Sequence, residues 1–257
     1  GHSLIRAAVK NYLKTTVIID PLDYSNFIKN SPKTDSTKKK YAIKAMEHVT
    51  KYDIAITNWF QGNENEIYPL RYGENPQQKA NALIRKNIFK QLCGEKKLSY
   101  NNLLDLDAAV SISYSTNSKK HICTIVKHNT PCGASIGNSQ VKSYENALDG
   151  DPISAFGGIV AFNKRVSTLT AKKLIDNYYE VIAAPDYDIE ALNILKKKKN
   201  LRVLKVKKFK MKIEQRSIFA GTLIQDVNNK KSKIKKIFGV NKLNIEKFEF
   251  FINVLKF

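Results

Sequence analysis

The sequence predicts an α/β protein with helices on both faces of a sheet, and three observations carry that prediction. Short runs rich in β-branched residues, such as HICTIV at 121–126 and the stretches ending at 163 and 184, alternate with amphipathic segments, the pattern of strands joined by packed helices. Hydrophobic residues are 42% of the 257 and aromatics 10%, enough to bury a core for one large domain or two small ones. No run of 18 apolar residues occurs, so no membrane span is expected.

Taken in order, Leu4, Ile5, Ala8, Val9 and Tyr12 recur at helical spacing and predict a helix over 3–13 with one buried stripe. Arg6 and Lys10 then lie one turn apart, a like-charge pair that costs roughly a few tenths of a kcal/mol unless something negative sits between them. TTVIID at 15–20 reads as a strand ended by Pro21, 24–30 as a short helix and 31–40 as a polar loop. The helix over about 38–60 carries Tyr41, Ala45, His48 and Tyr52 on one stripe, with His48 expected in the core or an interface. QGNENEIYP at 61–69 has the composition of a linker and marks a domain boundary. LSYNNLLDLDAAV is a turn feeding a helix, with Asn102 and Asp105 near its start. The strand at 121–126 runs into a polar turn, KHNTPCGASIG at 127–137. A helix at 139–148, a Gly-rich turn and strand, a helix at 168–178 and a strand at 180–184 follow. In open α/β sheets ligands sit off the carboxyl ends of strands, where a site is expected here.

The net charge of +21 invites a polyanion partner, but its make-up argues otherwise. Only six of the 44 basic residues are arginine, although the planar Arg fork is the usual choice for phosphate and base recognition. Residues 196–257 hold 19 basic and four acidic residues, +15 of the +21, in runs such as KKKK at 196–199, KVKKFKMK at 205–212 and KKSKIKK at 230–236. Solvated lysines of a compositionally biased chain explain this, and nucleic acid is not the expected partner. Three cysteines, Cys93, Cys123 and Cys132, are too few for a disulfide framework, so a reducing cytoplasm is expected.

Three segments join backbone-constraining residues to functional side chains: LRYGENPQQ (70–78), VKHNTPCG (126–133) and DPISAFGG (151–158). Loops of this kind carry chemistry more often than packing. Together with GHSLIRAAVKN, YNNLLDLDAA, FNKRV and YYEVIAAP, they resemble, in this order and with similar spacing, the bifunctional purine-biosynthesis family that joins AICAR transformylase to IMP cyclohydrolase. The likeness is strong over 1 to about 195 and weaker over 196–257, where AGTLIQD at 220–226 still fits; His2 and Ser3 replace the family's Gly and Pro.

The resemblance implies a fold: the C-terminal part of a methylglyoxal-synthase-like cyclohydrolase domain (1–63), then a cytidine-deaminase-like transformylase half-domain (64–257). It implies an internal fragment of a cytoplasmic homodimer whose transformylase sites combine both subunits. It also implies formyl transfer from the co-substrate 10-formyltetrahydrofolate to AICAR, giving FAICAR, and cyclodehydration of FAICAR to IMP. Lys127 and His128 are the implied transformylase catalytic pair. A His with an unperturbed pKa of about 6.5 can take the amine proton, and a Lys can offset developing oxyanion charge. Neighbours on an extended chain point to opposite faces, so a turn is needed to bring both to one ligand, and Pro131 and Gly133 are expected to provide it. Arg71, Tyr72, Asn102, Phe156, Gly157 and Glu180 are the implied AICAR-binding residues. Lys10 is the implied cyclohydrolase lysine, with Arg6 beside it. No metal is expected: a zinc deaminase needs H-x-E with P-C-x-x-C, whereas Cys132 has no second Cys and reads as a small buried filler. The competing classes are a non-catalytic scaffold of the same fold and a nucleic-acid binder acting through 196–236.

Overall fold

The computed structural model describes residues 1–30, 34–60, 65–209, 213–228 and 245–255. The chain divides into two compact units, Gly1–Glu66 and Ile67–Phe257. The lysine run at 230–236, part of that at 205–212 and the first residues of the expected linker lie outside the described residues.

The first unit holds helix α1 (His2–Lys10), a short 3-10 turn at Pro21–Asp23, α2 (Tyr24–Lys29) and α3 (Asp35–Phe60). α1 packs on α3 through half-buried Ile5, Ala8 and Val9, while Leu4 stays 75% exposed. α3 buries Ala42, Ala45 and Val49, whose small or branched side chains allow close approach. This stripe lies one residue away from the expected one at its C-terminal end, so His48 is exposed and not a core residue. Residues 15–20 form no strand: among the described residues no ladder takes up their backbone groups. Lys44 instead ties this segment to α3, donating to Asp20 at 2.8 Å and to Asp23 at 2.6 Å.

Strands β1 (Asn65–Pro69) and β2 (Asn81–Arg85) pair with each other, and β3 (Phe89–Cys93) leads into α4 (Tyr100–Ser113). Then come β4 (His121–Lys127), β5 (Thr130–Gly137), α5 (Gln140–Leu148), β6 (Ile159–Phe162), α6 (Thr168–Leu174), β7 (Val181–Ala184), α7 (Ile189–Leu195) and β8 (Arg202–Val206). A hairpin of β9 (Ile213–Ile218) and β10 (Gly221–Asp226) and helix α8 (Ile245–Val254) follow. The main sheet has six strands in the order β3-β8-β7-β6-β4-β5. β6, β7 and β8 are parallel, as helical crossovers require, and β4 runs antiparallel to β6.

IVAF and VIAA are buried at every position because both sheet faces are covered. Side chains alternate between two cores with the period of two that a strand dictates. Val160, Phe162, Ile182 and Ala184 meet residues of α5, α6 and α7, whereas Ile159, Ala161, Val181 and Ala183 meet α4 and Phe250 of α8. Full burial of each Val, Ile or Phe stabilises by about 1.5–3 kcal/mol, which makes this three-layer core the foundation of the site.

The structure corrects the reading of 127–137. Most of that stretch is strand β5, at the sheet edge, where a proline such as Pro131 is tolerated. The reversal is a two-residue hairpin loop, His128 and Asn129, closed by the pair Lys127 and Thr130. Both loop residues have left-handed backbone, φ 54° and 59°, the signature of a tight turn matched to strand twist. Pro131 and Gly133 do not make the turn. Gly133 is required by packing, since a Cβ there would overlap the Ala147 carbonyl of α5. The strand pairing shifts past Cys132, which is half-buried; the fully buried thiol is Cys123.

Candidate active site

The N-terminal end of α4 gathers the segments singled out above. Ser99 caps the helix reciprocally with Asn102: the Asn102 amide donates to Ser99 Oγ at 3.2 Å and the Ser99 amide to Asn102 Oδ1 at 3.1 Å. Just before the cap, the Arg71 amide donates to the Leu98 carbonyl and the Tyr100 amide to the Tyr72 carbonyl, fixing 70–72 against the helix start. Arg71 is exposed; its guanidinium lies 4.6 Å from the Tyr72 ring centre and donates to the Tyr72 hydroxyl at 2.7 Å.

Asn102 Nδ2 donates to Glu180 Oε2 at 2.8 Å. Arg202, only 2% exposed, completes this cluster. Its guanidinium donates to Glu180 Oε2 at 2.9 Å, to the Glu180 carbonyl at 3.1 Å and to Asn102 Oδ1 at 3.1 Å. Burial of the charge is offset by the carboxylate and the filled donors, as a buried guanidinium requires. One turn beyond Asn102, the Asp105 carboxylate accepts from the backbone amides of His128 at 3.3 Å and Asn129 at 2.6 Å.

The glycine-rich turn joins from the other side. Lys127 Nζ donates to the Phe156 carbonyl at 2.8 Å, the Gly157 amide to the Tyr178 carbonyl at 2.8 Å and the Glu180 amide to the Gly158 carbonyl at 3.0 Å. Gly157 has φ 75°, which a residue without a Cβ adopts at no cost. Behind Glu180, the buried Tyr144 and Tyr179 hydroxyls share a hydrogen bond of 3.0 Å, and burial raises the pKa of both.

The segments that carry Arg71, Tyr72, Asn102, Lys127, His128, Phe156, Gly157 and Glu180 are thus tied to one another by hydrogen bonds within the second unit. Its solvent-facing members are Arg71, His128 and Phe156, and Glu180 is half-buried. The expected location off carboxyl strand ends holds only for Lys127 on β4. Gly157, Glu180 and Arg202 stand at the amino ends of the parallel strands β6, β7 and β8, which the antiparallel β4 brings to the same edge.

Arg6 and Lys10 belong to the first unit. Arg6 forms an ion pair with Asp53 of α3, so a protein carboxylate supplies the negative partner that their spacing called for. No group of three or more His, Cys, Asp or Glu side chains able to hold a metal occurs among the described residues. Burial raises the Cys132 pKa and keeps its thiol protonated, in line with a packing residue. Arg202 and Asp105 were the residues to which the sequence assigned no role. A signal existed for Arg202: it is one of two arginines among 17 lysines in 196–257, where a position needing several directed donors stands out.

The fold and this network define an α/β domain with cationic, amide and carboxylate groups gathered at one end of the sheet strands. Residues 8–256 match the family described as AICARFT/IMPCHase bienzyme, and the chain belongs to that family. The bifunctional purine biosynthesis protein PurH of Prochlorococcus marinus strain MIT 9312 is 44% identical over 274 residues, covering 95% of this chain and 53% of its own length. PurH of Persephonella marina strain DSM 14350 / EX-H1 is 41% identical over 257 residues, covering 88% and 49%. The chain spans about half the length of the curated relatives it matches.

Proposed function

We propose that this chain takes part in purine biosynthesis as part of an AICAR transformylase/IMP cyclohydrolase, its second unit carrying formyl-transfer residues and its first unit part of the cyclohydrolase. The observation that supports this reading most is the hydrogen-bonded set joining the LRYG, SYNN, VKHN, SAFGG and YYE segments at one sheet edge. In this reading the first unit is the methylglyoxal-synthase-like portion, at about 1–63, and the second the cytidine-deaminase-like half, at 64–257. The setting is a cytoplasmic homodimer.

The AICAR 5-amine attacks the formyl carbon of 10-formyltetrahydrofolate. Its electron pair forms the new C–N bond, the carbonyl pair moves to oxygen, and collapse of that oxyanion expels the folate N10, which takes up a proton. The amine is a poor nucleophile, its lone pair being conjugated into the imidazole, and must lose a proton as it attacks. His128, at the tip of its hairpin, accepts that proton. Lys127 sits beside it with its ammonium held by the Phe156 carbonyl, where it offsets oxyanion charge or gives a proton to N10. Arg71 pairs with the nucleotide phosphate, Tyr72 flanks it, and Glu180 with Asn102 receives ribose hydroxyls. Phe156 and Gly157 give the base a close-approach wall. In the first unit Lys10 is the candidate cyclohydrolase lysine; Arg6, neutralised by Asp53, meets a phosphate only by leaving that partner.

The test uses His128→Ala in the protein that carries this chain. Loss of AICAR formylation with retained cyclisation of supplied FAICAR is expected. Formylation that survives the substitution removes His128 as base.

A further inference from the structure

The structure assigns Asp105 a role as the positioning residue that holds the His128–Asn129 turn in its reactive shape, an inference that rests on the proposed transformylase reading. His128 and Asn129 both adopt left-handed backbone, φ 54° and 59°. Asn accepts that region readily, but for His it is strained by about 1–3 kcal/mol and persists only where the surroundings determine it. The two successive amides of such a turn converge, and here they converge on one carboxylate. Asp105 accepts from Asn129 at 2.6 Å and from His128 at 3.3 Å.

That carboxylate belongs to the same helical face as Asn102, one turn earlier, which binds Glu180. α4 is therefore a rigid bracket. One residue sets the proposed ribose-binding carboxylate, and the next along the face sets the backbone from which the proposed base projects. The hydrogen bonds are made to backbone amides, so Asp105 acts through His128 and not on substrate. Misplacing a catalytic group by about 1 Å can cost 100-fold in rate, which gives the bracket its functional weight.

The experiment compares Asp105→Ala and Asp105→Asn in the protein that carries this chain, by AICAR formylation kinetics and by backbone amide exchange at 128 and 129. Asp105→Ala is expected to lower kcat by about 100-fold with the KM for AICAR little changed, and to speed exchange at both amides. Asp105→Asn, isosteric and still able to accept one amide, should fall between. A kcat unchanged in Asp105→Ala overturns the assignment, as do unaltered amide exchange rates. If the unsubstituted protein does not formylate AICAR, the transformylase reading fails, and if His128→Ala still does so only the base assignment fails; in either case the exchange rates report separately whether Asp105 holds the turn.

Discussion

At the scale of the residue, Arg202 shows how one buried side chain joins sequence-distant parts of a site. Its guanidinium reaches Asn102, 100 positions earlier, and Glu180, 22 positions earlier, and at 2% exposure it has little access to solvent. Arg202→Met fills a similar volume but removes the donors that Arg202 supplies to Glu180 and Asn102. The expected cost is about 3 kcal/mol, the low end for breaking a buried pair, because the Glu180 side chain is 34% exposed and water can partly replace the arginine. A urea midpoint measurement checks this, and Arg202→Lys, which keeps the charge without the fork, should recover only part of the loss. A midpoint unchanged in Arg202→Met would mean that Glu180 is oriented by Asn102 alone. Arg71, Tyr72, Asn102, Lys127, His128, Gly157 and Glu180 stand out in the sequence as candidates because each lies in a string that resembles the family's. Asp105 was visible only as a helix residue. Its partners are backbone amides 23 and 24 positions away, and no local pattern encodes such a pairing.

At the scale of the element, the hairpin of β4 and β5 is the instructive case. Pro131 and Gly133 look like turn residues, yet the reversal falls on His128 and Asn129. Gly133 serves a different need, the approach of α5 to the strand, which only packing across the sheet reveals. Gly133→Ala should therefore destabilise the second unit by about 1–3 kcal/mol, the usual cost of overpacking a tight contact, and thermal unfolding followed by circular dichroism measures it. A substitution tolerated without loss would show that α5 moves freely to make room. The expected strand at 15–20 failed for a related reason: apolar content marks a segment for burial, but a strand exists only where a neighbouring ladder accepts its hydrogen bonds. Strands at 121–127, 159–162 and 181–184 were legible because their β-branched runs are buried on both faces.

At the scale of the whole molecule, the net charge of +21 says less than it first suggests. Arg6, Arg165 and Arg202 are engaged with Asp53, Asp186 and Glu180, so these arginines are not a free cationic surface and the excess rests on lysines. The α/β class was legible from alternation alone, while the mixed order of the sheet was not, because the direction of β4 depends on long-range pairing. That direction matters for function: it brings the end of β4 to the starts of β6, β7 and β8, and so places Lys127 and His128 on the edge that carries Gly157, Glu180 and Arg202. The most direct test of this arrangement is amide chemical-shift mapping on titration with AICAR in the protein that carries this chain. Perturbations should concentrate at 71–72, 102, 127–129, 156–157 and 180. Saturable binding whose perturbations leave those positions untouched, or no binding at all, would contradict the account.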